Sequence, residues 1–455
     1  MKNMFSSLQK KLKELLANIE CCAITTDGWS SRGNEHYLTV TCHFITSELK
    51  LQSAVLSTTK LQSDENHSAD NIAGSLRAVL HEWDVFEKVS TIVTDNVANM
   101  LKACEILQKR NLPCFAHCLN LIAQDTLSLD CIKGITGKCK RIVAFFKSST
   151  TAYAKFRSAQ GIERPYSLVQ EVSTRWNSAY RMIKRILLTK DAIAVVLLNT
   201  TKAPAALTAD DICILEDLVD LLAPLDNATT QVSASQSVTV SLLIPTVSEL
   251  HQNYHDLYSK MKTTEGKSIC LFLIERLIHR LSKFETRTVT RVVTLLDARF
   301  KKEGFRSANN AGIAAGILEN ELITVYKSAS AVDERVIPPT PPNLSQPQPK
   351  FKFLQQKIDS RVHTTRSDAI TVLRQYFERP HAPQDIDPLE YWKTIGNEME
   401  LLKSCAIRYF CVPATSTESE RMFSKAGCII SDRRTCLKEK NVNMLLFLNK
   451  NNWLM

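Results

Sequence analysis

The chain has 455 residues, 44% hydrophobic and 23% charged, with 57 Lys and Arg against 47 Asp and Glu for a net charge of +10. That composition excludes a disordered or collagen-like chain and leaves room for two or three domains with real cores. No apolar run is long enough to cross a membrane, and 14 cysteines without a secretory leader fit reduced thiols better than a disulfide framework, so an intracellular protein with no membrane partner is expected.

In chain order, residues 1–20 place Leu8, Leu12, Leu15 and Leu16 at helical spacing between lysines and predict an amphipathic helix. Residues 23–27 and 90–95 read as buried strands that end in aspartate, with the alternating segments 37–46 and 49–58 between them. A helix over 68–83 carries Ile72, Leu76, Val79 and Leu80 on one face, and a short strand over 112–116 follows the helix that Asp95 introduces. The order β-β-β-α-β-α-β-α over residues 21–165 predicts an α/β fold, a mixed sheet with helices on its faces.

The excess positive charge is concentrated. Between Cys131 and Arg157 lie Lys133, Lys138, Lys140, Arg141, Lys147, Lys155 and Arg157, with no acidic residue and with Phe145, Phe146, Tyr153 and Phe156 interleaved. Such a stretch suits a DNA backbone and its unpaired bases. It suits equally a solvated helix whose aromatics face a core, and the residues alone leave both readings open.

From 166 to 385 the pattern is helical, with long segments such as 211–222 and 269–281, and a proline-rich loop at 337–349 that excludes helix or central strand. The C-terminal unit, 386–455, predicts one helix from near Thr417 to Gly427. A second is expected from about Leu437, with Val442, Leu445, Leu446 and Asn449 on one face. The apolar residues Tyr391, Trp392, Leu401, Leu402, Ile407, Phe410, Leu445, Leu446, Phe447 and Leu448 exceed what a short helical pair needs internally. They form either a dimerisation patch or contacts with this chain's own core.

Three carboxylates carry the candidate chemistry. Asp27 and Asp95 stand at the C-terminal ends of strands, where open α/β sheets bind ligands, and Glu420 opens a helix. Hard oxygen ligands of this kind hold the Mg²⁺ ions of phosphoryl transfer. Aspartate also terminates strands, and Glu420 three residues after Thr417 could complete a capping box. Nothing in periodicity brings the three together.

The motifs carry a resemblance. Thr26-Asp27-Gly28-Trp29-Ser30, Thr94-Asp95-Asn96-Val97-Ala98-Asn99-Met100 and Ser419-Glu420-Arg421-Met422-Phe423-Ser424 resemble the three acidic motifs of hAT-family DNA transposases and of the BED-type zinc-finger proteins descended from them. Cys114-Phe115-Ala116-His117-Cys118-Leu119-Asn120, Thr174-Arg175-Trp176-Asn177-Ser178 and Leu296-Asp297-Ala298-Arg299-Phe300-Lys301 agree in order, with Ala298 in place of the usual proline. The resemblance implies an RNase H-like core interrupted by a large helical insertion, with a C-terminal dimerisation segment that completes the core. It implies that Asp27, Asp95 and Glu420 are catalytic and bind Mg²⁺. It also implies that Trp176, beside Arg175, stacks on a base flipped out near the cleavage site, with Lys138, Lys140, Arg141 and Lys147 as further DNA contacts.

Zinc is not expected, because Cys114, His117 and the adjacent Cys118 fall short of four ligands; packing and hydrogen bonding beneath the active site is the preferred reading. His251 and His255 read as ordinary helical surface, since Gln252 stands where a zinc protease needs glutamate. Paired cysteines followed by paired histidines occur nowhere, so the BED finger of the relatives is expected to be missing, through truncation or loss. The function expected is that of a nuclear protein that dimerises and associates with DNA as a domesticated regulator. The alternative is an active transposase core performing Mg²⁺-dependent strand cleavage and transfer.

Overall fold

The computed structural model describes residues 1–30, 36–61, 68–172, 176–333, 351, 353, 365–396, 398–429 and 439–455. The proline-rich segment 337–349 and Arg175 lie outside them. Five strands, β1 (Cys22–Ser30), β2 (His36–Ile45), β3 (Leu51–Lys60), β4 (Val89–Thr94) and β5 (Arg110–Pro113), form one sheet in the order β3-β2-β1-β4-β5. The pairs β1/β2 and β2/β3 are antiparallel, whereas β4 runs parallel to both β1 and β5. The sheet is therefore mixed, as the sequence pattern predicts.

Both faces of the sheet are covered. Helix α1 (Lys2–Ala17) buries Leu8, Leu12 and Leu16 on one face, together with α2 (Ala69–Glu82) and α3 (Ala98–Ile106), against Ile24, Leu38, Cys42 and Phe44. Ser68 caps α2 by accepting the Asn71 N–H at 3.4 Å, which accounts for where that helix starts. The opposite face carries Ala23, Val93 and Leu112 and packs on the helices that follow. These are α4 (Phe115–Leu127), α5 (Asp130–Ser148), α6 (Thr150–Ala159), α7 (Trp176–Leu188), α8 (Lys190–Leu198) and α9 (Ala209–Val232). They continue through α10 (Leu243–Tyr258), α11 (Thr264–Leu281), α12 (Thr288–Leu296) and α13 (Ala308–Asp333).

The Leu296-to-Lys301 motif works as a junction between these helices and the C-terminal unit of α14 (Thr365–Glu378), α15 (Pro388–Ile395) and α16 (Glu400–Phe410). Lys301 is buried, and its ammonium donates to the carbonyls of Tyr376 at 2.9 Å and Arg379 at 2.6 Å, satisfying the end of α14. Trp392 donates its indole N–H to the Leu296 carbonyl at 3.0 Å and stacks on Tyr376.

Helix α17 (Thr417–Ile429) then lies on β1 and β2, and α18 (Glu439–Lys450) runs beside β3. The expected stop at Gly427 does not occur; the helix continues to Ile429, because a glycine inside a helix costs only about 1 kcal/mol relative to alanine and does not by itself end it. Asn451 accepts the Val55 N–H at 3.0 Å and donates to the Val55 carbonyl at 2.9 Å, while Asn443 accepts the Thr58 N–H at 2.9 Å.

Packing corrects part of the expected dimerisation patch. Trp392, Leu446 and Phe447 are buried within this chain, with Phe447 meeting Phe5 edge-on at 4.8 Å and stacking on Trp83 at 5.8 Å. Phe447 is thus covered by α1 and the residue that ends α2, and Trp392 by α14. Tyr391, Leu445 and Leu448 are half-buried.

Candidate active site

Asp27 lies near the C-terminal end of β1, and Asp95 directly follows β4. The two strands pair Ala23 with Thr91, Ile24 with Ile92 and Thr25 with Val93. Continued two residues further, that register sets Asp27 level with Asp95, both on the face that carries Ala23 and Val93. Asp95 is held by its own turn: its carboxylate accepts the Val97 N–H at 3.4 Å, and the Thr94 hydroxyl donates to its carbonyl at 2.7 Å.

Glu420 enters from the first turn of α17, where the positive end of a helix favours a carboxylate. Burial first, and then the charges of Asp95 and Glu420, push the Asp27 carboxyl up to about 8, against a weaker opposite pull from the Gly28 backbone. Carboxylates from three distant parts of the chain are thus near enough for the charges of Asp95 and Glu420 to be felt at Asp27. Cys114 lies close by: burial raises its thiol to about 12, the Ser416 N–H donates to its sulfur at 3.3 Å, and Glu420 adds to the upward shift. A cavity of about 280 Å³ opens beside Asp95, lined by Gly28, the stacked rings of Trp29 and Tyr37, Leu38 and Met100.

The donor set suits a hard divalent cation, and a cation would relieve the charge crowding that holds a proton on Asp27. Among the described residues no three His, Cys, Asp or Glu side chains form a ready-made metal cage. Asp27, Asp95 and Glu420 therefore do not close on a cation as they stand; Mg²⁺ keeps several waters and takes only one or two protein carboxylates alongside substrate phosphates.

The residues expected to contact DNA are placed differently from the acids. Trp176 is 3% exposed and packs beside Tyr180 at the start of α7, so its ring belongs to the core and presents no face to a flipped base. Lys138 is ion-paired with Asp211 at 2.6 Å, Lys140 with Glu171 at 2.9 Å, and Lys147 donates to Gln170 at 3.1 Å. Arg141 is exposed. Phe146 and Phe156 are buried against each other and are not available for stacking on bases, whereas Phe145 and Tyr153 are half-buried. His251 is buried as well, and burial lowers it to about 4, which corrects the surface reading.

Sequence reasoning missed the polar cluster that seats α17 on the sheet. Thr25 Oγ1 lies 2.9 Å from Ser419 Oγ and 3.1 Å from His43 Nε2, all three buried. Next to it, the buried Glu418 is ion-paired with Arg421 and, at 2.5 Å, with Lys450. The available signal was that Thr25 and His43 are polar at strand positions facing a core, where a partner is needed.

Comparison with known proteins agrees with the landmarks. Residues 25–115 match the ZBED1 RNase-like domain, 112–220 the ZBED1 RNase-like helical domain, and 372–452 the hAT family C-terminal dimerisation region. Zinc finger BED domain-containing protein 4 of Homo sapiens is 24% identical over 98% of this chain and 39% of its own length. The putative AC transposase of Zea mays is 23% identical over 96% of the chain and 57% of its length. The protein RICESLEEPER 2 of Oryza sativa subsp. japonica is 21% identical over 93% and 64%. The chain therefore spans less than two thirds of each of these relatives. It is a hAT-derived protein, related to both the AC transposases and the BED zinc-finger proteins.

Proposed function

We propose that this chain is the core of a nuclear, DNA-associating hAT-derived protein that dimerises through its C-terminal region and keeps a Mg²⁺ site in the crevice of Asp27, Asp95 and Glu420. In this reading the sheet is the RNase H-like core, the helices from α7 onward are its insertion, and α17 returns the third acid to the first two. The observation that carries it is the charge crowding at Asp27, which burial and two neighbouring carboxylates hold protonated far above the ordinary carboxylate range. A structural ion-pair network would neutralise such charge. The match to a hAT dimerisation region supports a homodimer, and the relatives named as transposases support DNA as the partner.

Divalent metal, when bound, would supply activation of a water or hydroxyl and stabilisation of the leaving oxygen in phosphodiester cleavage. Asp27, Asp95 and Glu420 would orient it, and the Thr94–Asp95 turn would hold the second acid against the strand end.

The second reading is a domesticated regulator without cleavage. It is favoured by the buried Trp176 and the ion-paired Lys138 and Lys140, which leave fewer side chains free to contact DNA. A cleavage assay on nicked or branched DNA with Mg²⁺ or Mn²⁺, run beside Asp95→Asn and Glu420→Gln, separates the two. Metal-dependent cleavage lost in both variants identifies an active core. Binding and dimerisation without cleavage identify the regulator, and absence of DNA binding and of metal binding together overturns the proposal.

A further inference from the structure

We propose that Thr25 and Ser419 are positioning residues whose buried hydroxyl–hydroxyl bond sets the approach of Glu420 to Asp27. The inference rests on the metal-site reading above and adds to it the device that assembles the site. Thr25 stands two residues before Asp27 on β1, so the two side chains share a face of the sheet about 7 Å apart along the strand. Ser419 immediately precedes Glu420 on α17. The 2.9 Å contact between Thr25 Oγ1 and Ser419 Oγ therefore ties the strand of the first acid to the helix of the third.

The tie is anchored on both sides. His43 on β2 holds Thr25 Oγ1 at 3.1 Å from its Nε2. Burial lowers the ring of His43 to about 4, so it is neutral at pH 7 and one ring nitrogen accepts while the other donates. On the far side Glu418 binds Arg421 and Lys450, and Arg421 also donates to the Ser233 carbonyl at 2.9 Å. The first turn of α17 is thereby fixed against both translation and rotation at the residue beside Glu420.

Stability alone does not require this arrangement. Replacing both partners of a buried hydrogen bond by apolar groups of the same shape is nearly neutral, so valine at 25 with alanine at 419 would cost chiefly the contact of Thr25 with His43 Nε2. What an apolar contact lacks is directionality, and a metal site loses affinity when its carboxylates are free to shift. The bond is thus matched to alignment of the acids.

The test is Mn²⁺ alone as the probe, titrated into the full chain by electron paramagnetic resonance, comparing wild type with Thr25→Val/Ser419→Ala, Ser419→Ala and the conservative Thr25→Ser. Thermal unfolding is read in parallel. We expect the double variant to stay folded, to unfold below the wild-type temperature because His43 Nε2 loses its partner, to bind Mn²⁺ about 10–100-fold more weakly, and Thr25→Ser to retain wild-type affinity. Should the double variant fail to fold, Ser419→Ala against Thr25→Ser carries the same comparison. Unchanged Mn²⁺ affinity in a folded double variant, with affinity lost in Asp95→Asn, overturns the positioning role and leaves the metal-site reading standing. A wild-type chain that binds no Mn²⁺ overturns both.

Discussion

Asp27 and Glu418 are carboxylates close to one another in the fold, and the protein treats them in opposite ways. Glu418 is buried between Lys450 and Arg421, and, although burial alone would raise it, those cations bring its carboxyl below the ordinary range. Asp27 is buried beside Asp95 and Glu420 and is pushed up to about 8. The first is a fastener: its charge is matched by residues of the same chain. The second lies within reach of two further carboxylates and keeps its proton up to about pH 8, which is the arrangement expected where an external cation belongs.

The sharpest way to break this contrast is Glu418→Ala, which leaves Lys450, with a side chain only 20% exposed, facing an empty partner site. It should destabilise the fold by about 3 kcal/mol in urea unfolding, since removing one member of a buried pair strands the other. Asp27→Asn should do the reverse, raising stability in EDTA by roughly 1–2 kcal/mol at pH 7.5. A loss of stability in Asp27→Asn would mean that the carboxylate is already satisfied.

Acid and alkali sharpen the comparison further. The folded chain keeps the Asp27 proton up to about pH 8, whereas the unfolded chain releases it near 3.8, so across that window rising pH favours unfolding. For Glu418 the folded value is the lower one. Its contribution is present above pH 4.5 and is lost as pH falls through the folded value. Urea unfolding from pH 3 to 9 in EDTA should show both slopes, the fall in stability from pH 3.8 to about 8 missing in Asp27→Asn and the loss below pH 4.5 reduced in Glu418→Ala.

His43 gives the smallest effect. Burial lowers it to about 4, with Glu418 pulling upward and Lys450 downward, while the unfolded ring titrates near 6.5. Stability should therefore fall as pH drops from 6.5 to 4, and His43→Gln should remove about 1 kcal/mol of that loss at pH 5.

How much of this was legible in the sequence differs by region. The sheet was legible because short apolar runs mark its strands; the run before Asp95 ends where β4 ends, whereas β1 continues past Asp27 to Ser30 through its pairing with β2, and the parallel register follows once β1 and β4 are neighbours. The arrival of Glu420 was not, because the α7-to-α16 stretch separates it from both and no local periodicity encodes such a closure; only the resemblance anticipated it. Trp176 shows the opposite failure. Its Arg and Asn neighbours resembled a DNA-facing motif, yet helix α7 turns the indole inward with Tyr180, Ile183 and Ile186. Apolar spacing in the C-terminal unit announced burial correctly, but spacing does not say whether the covering surface is this chain or another. For Trp392, Leu446 and Phe447 it is this chain.

The asparagines of α18 and its sequel have a consequence for proteostasis. Strand β3 lies at the margin of the sheet, and Asn443 and Asn451 occupy backbone groups of Val55 and Thr58 that would otherwise be open to a neighbouring molecule. A chain ended prematurely before residue 439 would bare that margin together with the apolar bed of Phe447. Such a product should accumulate as insoluble aggregate cleared by quality control, so a late nonsense mutation would behave as a loss of the whole protein and not as a selective loss of dimerisation.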